Sequence, residues 1–246
     1  MADYDNRILR SQATAVGVID AGLRAYLLRV YNYMLIGLAL TGATAWLTAD
    51  TSFGQLFYQI NPMTGRAGMT LLGWIALFAP LGLVLFLSFR INRMSVGAAQ
   101  ATFWAYAALV GIGIAPILLL YTGASVAQVF FITAATFGAM SLYGYTTKRD
   151  LSGFGSFLFM GLIGVVIASV VNIFLHSAMV TFVVSVVGVL VFTGLTAYDT
   201  QWIKESYVAN DDGTIAGRKA IFGALKLYLD FLNLFLMLMQ LLGNRR

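Results

Sequence analysis

The chain has 246 residues, of which 60% are hydrophobic and only 10% are charged, and it contains no cysteine. A soluble domain carries about 25% charged residues, so this composition, with a mean hydropathy of +0.84, excludes a soluble globular protein and predicts a polytopic membrane protein. The lack of cysteine excludes disulfides, thiolate metal sites and cysteine nucleophiles. The net charge of +5 does not predict a nucleic-acid surface, because the basic residues lie beside the apolar runs and form no single patch.

Seven apolar runs are long enough to cross a bilayer, which takes roughly 17 to 25 mostly apolar residues per helix. No cleavable signal peptide is expected, because about 28 polar residues precede the first run and no small-residue cleavage pattern follows it. We expect a polar cytoplasmic segment over 1–28 and one membrane domain over 29–246. The predicted spans are about 30–49, 70–89, 98–120, 125–145, 154–174, 178–198 and 220–242.

The basic residues predict an orientation, since Lys and Arg in short loops favour the cytoplasmic side. With the N-terminus in the cytoplasm, eleven basic residues lie inside and three lie outside. Seven spans then put the C-terminus outside, although the Arg245-Arg246 pair fits the inside better and leaves open a re-entrant last run. The inside set is Arg7, Arg10, Arg24, Arg29, Arg90, Arg93, Lys148, Arg149, Lys204, Arg218 and Lys219, and the outside set is Arg66, Arg245 and Arg246.

The last apolar run carries a polar stripe, because its polar residues recur every three or four positions on one helix face. This stripe should face protein or water. Asn233 and Gln240 fit hydrogen bonding to a neighbouring helix, and Lys226 could form an ion pair with Asp230 one turn away on its own helix. The stripe consists of Lys226, Asp230, Asn233, Met237 and Gln240.

Two aspartates in the last two spans are the main candidates for function. Asp230 lies inside the last apolar run, and Asp199 ends the preceding run within the tetrapeptide Tyr-Asp-Thr-Gln. An intramembrane carboxylate costs at least about 2.5 to 3.5 kcal/mol on insertion scales, so it indicates a functional site. If the two carboxyl groups meet, they titrate as a unit and sense pH. Together they could form a weak calcium site completed by carbonyls, hydroxyls and water. Arg90, at the end of the second span, lies at a compatible depth.

Enzymatic chemistry has little support in the sequence. It contains no metal-ligand spacing, nucleophile elbow or phosphate loop, so we expect neither an enzyme nor a resident cofactor. The single histidine, His176, is expected at the outer end of the fifth span in an ordinary interfacial position.

Four segments of the chain resemble the Bax inhibitor-1 family, and the likeness covers nearly the whole chain from about residue 25. Two carry the aspartates: 193–201 (Thr-Gly-Leu-Thr-Ala-Tyr-Asp-Thr-Gln) and 227–235 (Leu-Tyr-Leu-Asp-Phe-Leu-Asn-Leu-Phe). The others are 87–91 (Leu-Ser-Phe-Arg-Ile) and 143–152 (Tyr-Gly-Tyr-Thr-Thr-Lys-Arg-Asp-Leu-Ser). The short loops and long polar N-terminus look like those of a bacterial member, which implies the bacterial inner membrane.

The resemblance implies an all-α, seven-helix bundle with a central C-terminal helix. It also implies a pH-sensitive calcium leak in which Asp199 and Asp230 form the pH-sensing pair. An arginine of the second helix would latch the closed pore; Arg90 matches this position best, and Arg93 one turn away remains an alternative.

Three functions stay open from the sequence alone. The first is a passive cation pathway that Asp199 and Asp230 gate and that Lys226 and Asn233 line. The second is a membrane-embedded protein that binds and regulates a membrane protease or a stress- or death-pathway partner, without ion flux. The third is a proton-coupled transporter that uses the aspartates as a relay. The expected partners are the lipid bilayer, calcium and protons, and no nucleic acid.

Overall fold

The computed structural model describes residues 2–60 and 67–246, with side chains over 21–59 and 68–246. Seven α-helices make up most of this part of the chain, and each contains a segment long and apolar enough to cross a membrane. The predicted all-α polytopic membrane fold is therefore confirmed. The helices are α1 Ala2–Asp50, α2 Leu71–Arg90, α3 Val96–Leu120, α4 Gly123–Thr146, α5 Ser152–Leu175, α6 Ala178–Glu205 and α7 Gly213–Leu242.

Short polar side chains determine where most of these helices begin. The residue before each of five helices accepts a hydrogen bond from a backbone N–H of the first helical turn, which no helical carbonyl can satisfy. These N-caps are Thr70, Ser95, Thr122, Ser177 and Asp212. At the other end of α5, His176 adopts the left-handed conformation with a φ of 50° and stops the helix.

The observed elements extend beyond the predicted apolar runs. Helix α1 begins at Ala2, within the segment described from the sequence only as polar, and α6 continues six residues past Asp199 to Glu205. A two-stranded antiparallel hairpin, β1 Tyr58–Ile60 and β2 Ala67–Met69, joins α1 to α2 and was not predicted. A hydropathy profile detects only the segments that contact lipid. It cannot predict the extra helical residues or the hairpin, because helix propensity and tertiary packing determine them.

Helix α7 is the centre of the bundle. It packs against α1, α3, α4 and α6, whereas α2 packs chiefly on α3 and α5 chiefly on α6. In the most apolar 18-residue window of α7, 67% of the residues are buried, against 11–33% in the other six helices. This distribution confirms the expected central C-terminal helix.

The two ends of α7 lie at opposite ends of the bundle. Near its start, Arg218 donates a hydrogen bond of 2.7 Å to the carbonyl of Asn92, just before α3 begins. Beyond its end, the backbone N–H of Arg246 donates to the carbonyl of Leu120 at 2.9 Å, where α3 ends. Because α7 follows α3 from one end to the other, it is a full-length helix and does not turn back within the bundle.

We call the two ends the basic end and the C-terminal end. The basic end holds the connections α2–α3, α4–α5 and α6–α7, and the C-terminal end holds the α3–α4 connection and the last residues. The basic end also collects most of the residues that the sequence assigned to the cytoplasm, and which side it faces stays a prediction. Arg66 and the side chains of Arg7 and Arg10 lie outside the described residues.

Candidate functional site

The two predicted aspartates meet at the contact between α6 and α7. Asp230 is the eighteenth of the 30 residues of α7, about 26 Å from its start at 1.5 Å per residue. Asp199 and Asp230 are only 7% and 4% exposed. Both side chains line the same cleft, together with Lys226. Two ionised carboxylates offer only acceptors, so a hydrogen bond between them would need a proton on one of the two groups.

Lys226 provides the positive charge of the site. Its ammonium lies 2.7 Å from Oδ1 of Asp199, across the α6–α7 contact. It also sits over the ring of Trp202 at 4.6 Å and that of Tyr198 at 5.9 Å from the centroids. The sequence had suggested an ion pair with Asp230 on the same helix, but the side chain instead reaches the neighbouring helix.

Asp230 is left with an incomplete set of hydrogen-bond partners. Its Oδ2 atom is buried and accepts no hydrogen bond from any residue that the structure describes. Buried polar atoms are nearly always satisfied, so an exception marks strain, a water or ion position, or function. Oδ2 of Asp230 is therefore a free oxygen ligand next to the ion pair of Lys226 and Asp199.

A cleft of about 620 Å³ leads to this group. It lies between α5 and α7, with α6 as its floor, and it exists because α5 packs chiefly on α6. The aromatic and aliphatic wall gives way to polar groups at the bottom, where Asp199, Lys226 and Asp230 line the cleft together. The remaining lining residues are Gly155, Ser156, Phe159, Leu162, Phe192, Leu195, Tyr198, Leu229 and Asn233.

The residues flanking Asp199 each contact a different part of the bundle. Tyr198 packs on Gly155 of α5, where an added Cβ would overlap its ring. The hydroxyl of Thr200 is 3.0 Å from that of Ser141 in α4, which in turn contacts the hydroxyl of Tyr31 in α1. Gln201 accepts a hydrogen bond from the backbone N–H of Leu151 at 2.8 Å and so holds the start of α5. These contacts fix the depth and rotation of α6 around the carboxylate.

The rest of the predicted stripe has mixed roles. Gln240 accepts a hydrogen bond of 2.7 Å from Ser185 of α6, as expected for a contact between helices. Asn233 lines the cleft but donates to the carbonyl of Leu229 on its own helix at 2.8 Å. Met237 packs against Gly188 of α6. Only part of the stripe thus faces the cleft.

The predicted latch residue is not in contact with the pair. Arg90 is exposed at the end of α2, and neither it nor the exposed Arg93 forms an ion pair with a described carboxylate. Helix α2 packs chiefly on α3, and neither arginine lines the cleft. The role of Arg90 as a latch stays a prediction, and Lys226 occupies the position next to Asp199.

A metal ion could draw on only two carboxylates here. Within residues 2–60 and 67–246 no group of three or more His, Cys, Asp or Glu side chains is arranged to hold a metal. A calcium ion needs six to eight oxygen ligands, so Asp199 and Asp230 could supply only part of its shell. This donor set fits a weak, transient site and does not fit a structural metal.

The aromatic neighbours of Lys226 and the hydroxyl chain from Tyr31 to Thr200 were not predicted from the sequence. Trp202 lies four residues before Ser206, at the end of α6, and nothing in its spacing signals that it covers a lysine of α7. A weak signal was available for Gly155, because small residues mark close helix contacts in membranes.

Comparison with known proteins decides the family. The model of the family described as "Inhibitor of apoptosis-promoting Bax1" matches residues 23–246. The chain belongs to this family. An uncharacterized protein of Rickettsia prowazekii is 45% identical over 246 residues, covering 100% of both chains. The inner membrane protein YbhL of Escherichia coli is 46% identical over 228 residues, covering 92% of this chain and 94% of YbhL. An uncharacterized membrane protein of Streptococcus pyogenes is 37% identical over 226 residues, covering 92% of this chain and 95% of that protein.

Membership of the Bax inhibitor family confirms the resemblance read from the four segments. These relatives are bacterial, and those of Escherichia coli and Streptococcus pyogenes carry the word membrane in their names. Together with the seven helices, this identifies the chain as an integral membrane protein.

Proposed function

We propose that this protein is a passive, pH-sensitive calcium leak of the bacterial inner membrane, with Asp199 and Asp230 as its pH-sensing ion site. The observation that carries the proposal is a pair of buried carboxyl groups that line one cleft of about 620 Å³ beside Lys226. The localisation follows from the relative in Escherichia coli, which is named an inner membrane protein.

The chemistry of the pair gives the direction of the pH response. With one shared proton, the two carboxyl groups carry a single negative charge, which Lys226 balances. Loss of the proton adds a second negative charge and frees an oxygen pair, which favours a hard divalent cation. Flux should therefore rise with pH. Besides the pair, the titratable groups that line the same cleft are Lys226 and Tyr198.

The remainder of the pathway would follow α7 toward the C-terminal end. Asn233 lines the cleft beside the pair, and Gln240 lies two helical turns further along, held by Ser185. Between them the packing is apolar, which corresponds to a closed pathway. The resemblance to the family implies that Arg90 latches the closed pathway. If the arginine engages the aspartate pair in another conformation, Arg90→Gln should raise flux at low pH.

The test is calcium uptake into liposomes that contain the purified protein, from about pH 6 to about pH 8. We expect wild-type uptake to increase with pH, and Asp199→Asn and Asp230→Asn each to flatten the pH dependence, because neither variant can form the shared-proton pair.

Asp150→Asn is the matched control. Asp150 is exposed in the α4–α5 connection, and hydrogen bonds from Ser152 hold the pKa of its carboxyl below its ordinary value, so it stays ionised over this range. Its removal should leave the pH profile of uptake unchanged. Absence of protein-dependent uptake in every condition, from folded protein, would overturn the leak and favour a membrane-embedded regulator of a protein partner.

A further inference from the structure

We infer that Lys226 is a tethered cation that occupies the divalent-cation position at the aspartate pair and keeps divalent cations out until its side chain moves away. This inference rests on the proposed function, because it describes how the same site would be regulated. It concerns a residue for which the sequence suggested only an ion pair within α7 or a place in the lining of the pathway.

The position of the ammonium is the first argument. Lys226 lies at the bottom of the cleft, with its side chain 27% exposed, and its ammonium contacts the 9% exposed side chain of Asp199 at 2.7 Å. A cation that enters through the cleft therefore meets this ammonium at the carboxylate that it would need as a ligand.

The charge balance is the second argument. The pair with one proton and the ammonium sum to zero, which suits a site of low dielectric constant. With both carboxylates ionised, the ammonium leaves one net negative charge, and an added divalent ion would leave one net positive charge. An uncompensated charge is costly inside a membrane protein. A divalent cation and the Lys226 ammonium therefore exclude each other at this site.

The ligand count is the third argument. Two carboxylates offer at most four oxygens, and calcium needs six to eight ligands in all. The ammonium already uses Oδ1 of Asp199, while Oδ2 of Asp230 has no hydrogen-bond partner among the described residues. If the lysine is displaced, Oδ1 of Asp199 becomes free, and both carboxylates can then bind the cation.

The side chain can be displaced without unfolding a helix. A lysine has four rotatable methylene groups and a compact charge that can move to a more hydrated position. Two rings hold it in place: Trp202 at 4.6 Å and Tyr198 at 5.9 Å from the ammonium nitrogen. These cation–π contacts favour the blocked state without locking it.

A direct test measures ion binding in detergent, independently of flux. Terbium, a calcium analogue, emits when an excited tryptophan lies nearby, and the Trp202 ring borders the site. We expect Lys226→Met to bind terbium about 10-fold more tightly than wild type or better, because a like charge has left the site. Calcium should displace the terbium, and Asp230→Asn in the Lys226→Met background should abolish the binding.

Two further variants make the result specific to charge. Lys226→Gln keeps a polar side chain and should also bind more tightly, whereas Lys226→Arg should keep the affinity low because it restores the cation. Lys219→Met is the matched control, since Lys219 lies two turns earlier on α7 and pairs with Asp211 at 2.6 Å, away from the cleft. It should bind as the wild type does.

The outcomes separate this inference from the proposed leak. Equal or weaker terbium binding by folded Lys226→Met and Lys226→Gln would overturn the tethered cation, even if wild-type liposomes take up calcium. Tighter binding by both variants without calcium uptake by any variant would support the tethered cation and overturn the leak. Tighter binding together with faster uptake by Lys226→Met would support both.

Discussion

The polar residues around Asp199 differ in role: some hold the helices together, and one faces the cleft. Thr200 and Gln201 make hydrogen bonds to α4 and to the start of α5, so their polar groups serve the packing of the helices. Asp199, between Tyr198 and Thr200, faces the cleft, which a lysine and a second acid also line. Within this tetrapeptide the aspartate is therefore the candidate to bind an ion or a proton, and its neighbours hold it in place.

The buried hydroxyl pair of Thr41 and Tyr228 allows a measurement at the residue scale. Thr41 has one proton, which it directs to the carbonyls of Gly37 and Ala107, so the hydroxyl of Tyr228 must donate to Thr41 across 2.6 Å. Tyr228→Phe removes this bond and keeps the ring contacts with its aromatic neighbours. We expect a double-mutant cycle with Thr41→Val to give a coupling of about 0.6 to 1.7 kcal/mol in the free energy of unfolding.

The measurement is SDS-induced unfolding in mixed micelles, followed by circular dichroism. Gln240→Leu with Thr41→Val is the matched control cycle, because these residues contact different helices and share no partner. Their effects should add. A coupling near zero for Thr41 and Tyr228 would contradict the assigned hydrogen bond.

At this scale the sequence predicted the two acids but could not assign their partners. A carboxylate in an apolar run is visible in any hydropathy profile, and both acids are in consecutive spans joined by a short loop, so antiparallel packing brings them together. Whether Lys226 turns toward Asp230 or Asp199 depends on the rotation of α7 against α6 and on the rings of Tyr198 and Trp202. Spacing along one helix does not contain that information.

Pairs of helices approach closely where glycine removes a side chain. Gly144 of α4 faces the backbone of Ala197 in α6, and an added Cβ would overlap the Ala197 carbonyl oxygen. This contact lies two residues before Asp199, so it sets the distance of α4 from the site. A rigid backbone cannot yield as a flexible side chain can.

Gly144→Ala should therefore push α4 from α6 and lower the free energy of unfolding by about 1 to 3 kcal/mol. SDS-induced unfolding reports the change. Gly138→Ala is the matched control on the same helix, because its added Cβ meets no atom of the described residues within 4 Å. This variant should be neutral or slightly stabilising. Equal stability of the two variants would contradict the close α4–α6 contact.

The helices themselves were largely predictable, and their limits were not. Long apolar runs give seven spans because a bilayer imposes a minimum length on each. The N-caps at Ser95 and Thr122 are also visible as polar residues between runs. The early start of α1 and the hairpin at Tyr58 lie outside the apolar runs, where hydropathy carries no signal.

At the scale of the whole molecule, the C-terminal helix and tail tie the bundle together. The backbone N–H of Thr122 donates to the carbonyl of Asn244 at 3.1 Å, and that of Asn244 donates to the hydroxyl of Ser125 at 2.9 Å. Arg245 lies over the ring of Tyr121 at 6.0 Å. The terminal arginines thus contact the α3–α4 turn. These contacts explain why two basic residues lie opposite the basic end, although their charge alone favours the basic end.

This docking predicts that the α6–α7 connection and the C-terminus lie on opposite sides of the membrane. Helix α7 has 30 residues and a length of about 45 Å at 1.5 Å per residue, against about 30 Å of hydrocarbon. The native chain has no cysteine, so a single introduced cysteine is a unique reporter. We expect Arg246→Cys to react with a membrane-impermeant maleimide in intact spheroplasts, and Asn210→Cys to react only after lysis.

The pattern of labelling distinguishes spanning from orientation. Asn210 and Arg246 are both exposed, so a failure to react reports the membrane barrier and not burial. Labelling of Asn210→Cys alone in intact spheroplasts would keep the full span and invert the orientation inferred from the basic residues. Labelling of both variants on one side would mean that α7 re-enters, and the carboxylates would then open to the same compartment as both ends of their helix. A leak through Asp199 and Asp230 requires the first or second pattern, because a pathway must connect two compartments.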